Sequence, residues 1–154
     1  MRRAAVRRKR RSPVRPTFLG LHHVQIAVPA GGEAAVREFY GNRLGLQEIP
    51  KPSNLAVRGG VWFRCGDQEL HVGIDPKFAS AWKFHPAFRV TRLSALRTRL
   101  TAAGIDVFDD LPLPRHRRFY ALDPFGNRLE FVEPGRQSTR TTRASRGRRS
   151  AIGA

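Results

Sequence analysis

The chain repeats itself, and that repeat limits its fold more than any single motif. His23-Val24-Gln25-Ile26-Ala27-Val28 returns as His85-Pro86-Ala87-Phe88-Arg89-Val90, offset by 62. A helix-like run follows each, about 33–44 and about 93–103. The runs end in Leu44-Gly45-Leu46 and Ala103-Gly104-Ile105, offset by 59. Glycine stands where a helix C-terminus takes a left-handed residue. At the same offset of 59, Asp67-Gln68-Glu69-Leu70-His71-Val72 stands against Gly126-Asn127-Arg128-Leu129-Glu130-Phe131. Each half reads strand, helix, then about three strands, and two such βαβββ copies fill 21–133.

The strands alternate as half-buried strands do. Val24, Ile26 and Val28 share one face of 22–28, and His23, Gln25 and Ala27 the other. In 84–90, Phe84, Phe88 and Val90 are expected on the apolar face, with His85 opposite. Leu70, Val72 and Ile74 oppose Glu69 and His71, and Leu129 and Phe131 oppose Arg128 and Glu130. Gly66-Asp67 and Phe125-Gly126-Asn127 read as hairpin turns. The first helix offers Ala35 or Val36, Phe39, Tyr40 and Leu44 to a sheet, and the second Leu93, Leu96, Leu100 and Ala103. The expected fold is α+β: two tandem βαβββ modules, about 20–74 and 84–134, form a curved mixed sheet with helices on the outer face.

The net charge of +17, from 29 Lys and Arg against 12 Asp and Glu, suggests a polyanion binder until the charges are placed. Residues 1–16 and 136–154 hold eight and six basic side chains and no acid, which leaves the body, 17–135, at +3. Both tails lack apolar periodicity and read as disordered basic arms. The body then needs no specific nucleic-acid partner. The single cysteine, Cys65, excludes an intrachain disulfide framework and lies on an apolar face as an inert thiol. No apolar run is long enough to span a membrane, and no apolar stretch follows the basic N-terminus as a secretory signal requires. A reducing, cytoplasmic setting is expected.

Four polar side chains fall on the faces left free by the helices: His23, His71, His85 and Glu130. They occupy repeat-equivalent places, in the first and last strand of each half. Three imidazoles and a carboxylate complete a site for Fe²⁺, Mn²⁺, Ni²⁺, Co²⁺ or Zn²⁺ with positions open to a substrate. His22, on the opposite face, and His116, in the 112–117 loop, are left out of the set. Gln25, Trp62, Arg64, Glu69, Arg118 and Tyr120 face the same cup by alternation. Gln25, Trp62, Arg64, Arg118 and Tyr120 are the candidate substrate contacts, Trp62 by stacking and the arginines by pairing with an anion.

The repeat, the start Leu21-His22-His23-Val24, the segment Phe39-Tyr40 with Leu44-Gly45-Leu46, and Asp123-Pro124-Phe125-Gly126-Asn127-Arg128-Leu129-Glu130 resemble the vicinal-oxygen-chelate superfamily. It includes glyoxalase I, methylmalonyl-CoA epimerase, extradiol dioxygenases, fosfomycin-resistance transferases and the metal-free bleomycin-binding proteins. The resemblance implies metal ligands at His23, His85 and Glu130. His71 stands where glyoxalase I places a carboxylate ligand. It also implies a divalent-metal-dependent enzyme of glyoxalase or dioxygenase type, a lyase/isomerase or an oxidoreductase. Its small substrate would chelate the metal through adjacent oxygens, with Glu130 doubling as a proton shuttle. A homodimer is expected, with ligands drawn from one chain or two. The competing reading is a metal-free module that sequesters a small molecule in an aromatic cup.

Overall fold

The computed structural model describes residues 15–80 and 82–135. Apart from Arg15 and Pro16, the basic arms lie outside the described residues. The first module runs β1 (His23–Val28), α1 (Glu33–Val36), β2 (Gln47–Ile49), α2 (Ser53–Ala56), β3 (Val61–Cys65) and β4 (Gln68–Ile74). The second runs β5 (Ala87–Arg89), α3 (Leu93–Ala102), β6 (Val107–Phe108), β7 (His116–Leu122) and β8 (Arg128–Pro134). Each module builds its own four-stranded mixed sheet, in the orders β1-β4-β3-β2 and β5-β8-β7-β6. β1 pairs with β4 and β5 with β8 in parallel, and the other pairs are antiparallel. The short α2 carries no sequence signal that we recognise.

Alternation places the core. Ile26, Val28, Val61, Phe63, Leu70 and Val72 turn one face of the first sheet toward Val36, Phe39 and Tyr40. Phe88, Phe119, Phe131, Leu129, Leu93 and Leu100 do the same in the second. Burying each such side chain contributes roughly 1.5–3 kcal/mol. After Val36 the first helix widens into a π-helical stretch, Arg37–Arg43, closed by Leu44 N–H donating to Phe39 O at 2.9 Å.

The turn after β7 does more than reverse the chain. Asp123 is buried, and its Oδ1 accepts from the backbone N–H groups of Phe125 and Asn127 at 2.9 and 2.8 Å. Its Oδ2 accepts from Asn127 Nδ2 at 2.8 Å and from Tyr40 Oη of the other module at 2.9 Å. Asn127 Nδ2 also donates to Ala27 O at 2.9 Å. Burial, with the charge of Asp123 added, pushes the Tyr40 hydroxyl well above its ordinary pKa, so it stays a donor. Gly32 marks how closely the turn seats. A Cβ there would lie 2.8 Å from the Phe125 ring.

Three expectations need correction. Phe84 is 75 % exposed and precedes β5, because Pro86 has no N–H for a ladder and pairing begins at Ala87. His85 therefore precedes that strand as well. His116 is the first residue of β7 and not part of a loop. His22 does not turn away from His23: their Nδ1 atoms lie 3.0 Å apart, since the chain bends just before β1.

Candidate functional site

The register fixes which side chains share the faces left free by the helices. In the first sheet His23 pairs with Glu69 and Gln25 with His71, while Arg64 pairs with Glu69 and Trp62 with His71. In the second, Ala87 and Tyr120 flank Glu130, and Leu122 pairs with Arg128. Trp62 thus corresponds to Tyr120, His71 to Glu130, and Glu69 to Arg128.

On the first face, His71 is buried between two rings. Trp62 stacks on it from the β3 side at 3.7 Å and 1°, and His23 from the β1 side at 4.2 Å and 17°. The His71 Nε2 lies 2.9 Å from Glu69 Oε2. The His71 hydrogen bond holds the Glu69 carboxyl below the usual carboxylate range. An ionised carboxylate only accepts, so His71 Nε2 carries the proton.

The second face presents the opposite arrangement. His85 Nδ1 lies 3.0 Å from Lys83 O. A carbonyl only accepts, so Nδ1 is protonated, and in a neutral ring the lone pair sits on Nε2. That nitrogen faces Glu130 Oε2 at 3.0 Å. Two acceptors at this distance repel unless a cation, a proton or a metal ion, lies between them. The other carboxylate oxygen, Oε1, accepts from Arg118 Nη1 at 2.9 Å. Burial alone would raise the Glu130 pKa, but the bonds from Arg118 and His85 outweigh it and hold the carboxyl below its ordinary value.

Sequence reasoning missed Arg128 as more than a surface residue. It is 6 % exposed, its guanidinium lies 3.8 Å over the Tyr120 ring, and Trp82 and Phe108 stand 5.3 and 5.6 Å away. Its carboxylate partner is Asp110 at 2.7 Å. Bonds to the Leu111 N–H, then to Arg128, hold the Asp110 carboxyl below its usual range. A carboxyl depressed on folding stabilises above its unfolded pKa and loses that contribution as pH falls through its folded one. Asp110→Asn is therefore expected to lower stability at neutral pH and to match the parent once acid has protonated Asp110. Urea unfolding across a pH series checks this.

The structure brings His23 to His71 and His85 to Glu130. It does not join the two pairs: among the described residues no three His, Cys, Asp or Glu side chains are grouped to hold one ion. Gln25, Trp62 and Arg64 share the first face, and Arg118 and Tyr120 the second. Cys65 is half-buried against the core, and burial raises its thiol pKa, as expected of an inert thiol. A cavity of about 420 Å³ lies beside α3 and the 109–115 loop and touches only Arg118 of the candidates. The ion pair Arg97–Asp109 lies in its walls and Arg117–Glu133 beside them, and the candidate site stays on the sheet faces left free by the helices.

No family model matches the chain, and no curated protein does. Solved structures do. A glyoxalase family protein from Bacillus anthracis is 47 % identical, with a TM-score of 0.76 over 79 % of this chain and 99 % of that one. A lactoylglutathione lyase from Agrobacterium tumefaciens is 21 % identical, with a TM-score of 0.62 over 76 % and 95 %. The fosfomycin resistance protein FosX from Listeria monocytogenes is 16 % identical, also at 0.62, over 76 % and 94 %. The last two share the fold.

Proposed function

Because the chain belongs to the glyoxalase family of the vicinal-oxygen-chelate superfamily, we propose that it is a divalent-metal-dependent enzyme. Its substrate is a small molecule that chelates through two adjacent oxygens. The observation that carries this reading is the pairing of His85 Nε2 with Glu130 Oε2 at 3.0 Å, a nitrogen and an oxygen close enough to serve one ion in place of the proton they otherwise share. His85 and Glu130 form one donor pair, and His23 with His71 the other. Two imidazoles from the first pair and an imidazole with a carboxylate from the second together make an N/O set suited to Fe²⁺, Mn²⁺, Ni²⁺, Co²⁺ or Zn²⁺. When bound, such an ion supplies Lewis acidity that stabilises negative charge on a chelated oxygen.

The chain's own residues do the rest. Arg118 fixes Glu130 through Oε1 and leaves Oε2 turned to His85. Lys83 O fixes the His85 tautomer. Trp62, Tyr120, Gln25 and Arg64 wall the faces and orient a flat, oxygenated substrate. With one donor pair per module, a homodimer supplies the second pair from the partner copy. Lyase/isomerase and extradiol-type oxidation both suit this centre. A screen of hemithioacetals, catechols and acyl-CoA esters separates them.

The test is metal uptake. Chelator-stripped protein offered each of the five ions is expected to bind about one per chain, as read by mass spectrometry. His85→Ala and Glu130→Ala are each expected to weaken binding by more than the roughly 10–100-fold that loss of an outer partner costs. Protein that takes up no ion sinks the proposal and leaves the metal-free binding module in its place.

A further inference from the structure

A cavity of about 180 Å³ lies where the two modules meet. Gln25 of β1 lines it from one side and Arg128 of β8 from the other, with Ala79, Phe84 and Pro86 as apolar walls. Gly73 leaves room for the Gln25 amide, since a Cβ there would lie 3.1 Å from Gln25 Nε2. Among the described residues no aspartate or glutamate lines the cavity, so Arg128 is its one charge. The donors of that charge are not all matched. Arg128 is 6 % exposed, and its Nε is buried with no hydrogen-bond partner. Asp110 takes a bond from Nη2 to Oδ2 at 2.7 Å, while its Oδ1 accepts from the Leu111 N–H at 2.7 Å. A guanidinium offers five N–H donors in a fixed fork, and a buried donor without an acceptor is costly. The Tyr120 ring, 3.8 Å from the guanidinium, holds its plane.

We propose that this cavity is a carboxylate pocket, in which Arg128 and Gln25 hold the acid end of a small ligand. An arginine fork matches the two oxygens of a carboxylate, and a fixed charge in a nearly dry site acts strongly. The apolar walls accept a short carbon chain, and the volume suits one end of a small molecule. Arg128 and Glu130 lie on one face of β8, two residues or roughly 6.5 Å apart along the strand. A ligand of that length, anchored at Arg128, carries its other end to the His85–Glu130 pair. Resting on the metal-dependent reading above, the substrate is then an acid whose carboxylate stands apart from its two chelating oxygens. The repeat hides this pocket, since the first-module equivalent of Arg128 is Glu69, which repels such an anion.

Full-length protein stripped of metal by a chelator is titrated with propionate and with propionamide, its uncharged counterpart, and binding is read by ligand-observed NMR. The parent is expected to bind propionate in clear preference to propionamide. Arg128→Met is expected to weaken propionate binding roughly 10–100-fold, and Gln25→Leu roughly 2–10-fold. Asp110→Asn, which removes the competing carboxylate from Arg128, is expected to tighten it. The basic arms are the same in every variant, so differences between variants report the cavity. Equal binding by parent and Arg128→Met, or of the two probes by the parent, overturns the pocket. If Arg128→Met does not fold, unchanged binding in both Gln25→Leu and Asp110→Asn overturns it instead. Metal-loaded protein tests the substrate class. 2-Oxoglutarate is expected to bind at least about tenfold more tightly than 2-oxobutyrate, which lacks the distant carboxylate, and Arg128→Met to erase that preference. No preference in the parent overturns the substrate class and leaves the pocket standing. A parent that takes up no metal overturns the reading beneath it, on which the propionate result does not depend.

Discussion

Mixing His23→Ala protein with Glu130→Ala protein is expected to restore about one quarter of the metal sites, although each variant alone takes up almost none. The expectation follows from the separation of the donor pairs. One chain carries His23 with His71 on its first sheet and His85 with Glu130 on its second, and does not bring them together. If the proposed homodimer sets the first module of one copy against the second module of the other, its twofold symmetry gives two identical composite sites. A mixed dimer then holds one site with both defects and one with none. Equal mixing with free subunit exchange makes about half of the dimers mixed, and half of their sites intact. Mass spectrometry of bound metal after exchange reads the result. If one chain closed both pairs on a single ion, no mixture would recover any site.

Asp123→Ala is expected to cost about 3–5 kcal/mol, a large share of a small domain's stability. Four donors converge on this carboxylate: two backbone N–H groups, Asn127 Nδ2 and Tyr40 Oη. A buried donor left without an acceptor costs about 1–3 kcal/mol. Those nearest the turn's surface recover part of that from water. Tyr40→Phe removes one donor and is expected to cost about 1.5–3 kcal/mol, the range for a bond to a charged group. Urea unfolding of both variants gives the values. A change below about 1 kcal/mol for Asp123→Ala would show that apolar packing alone seats the turn.

The architecture was legible because it depends on period. Alternation in 23–28, 68–74 and 128–133 assigned faces correctly, and the 59-residue offset paired His71 with Glu130 from sequence alone. Period says nothing about side-chain stacking, so the Trp62–His71–His23 sandwich and the aromatic cage around Arg128 were invisible. Nor does it say that residues on the free faces of two sheets meet at one point, which is why four candidate ligands resolved into two pairs. The Phe84 error has a local origin: Pro86 ends the ladder, and alternation does not extend past the last hydrogen bond. Phe125-Gly126-Asn127 was read as a turn, but the residue that makes it a clasp is Asp123. Its role as a clasp depends on Tyr40, 83 residues earlier, and no local rule reaches that far.

The two sheets repeat in shape but not in charge. Where the first has Glu69 the second has Arg128, and where the first has Gln25 and Arg64 the second has Ala87 and Leu122. A cup made from two identical halves would offer a ligand two equivalent ways round. Here one face offers Glu69 beside Arg64 and the other Glu130 held by Arg118, so a molecule lying across them meets unlike chemistry at its two ends. The divergence of the two halves thereby gives a duplicated fold a sense of direction.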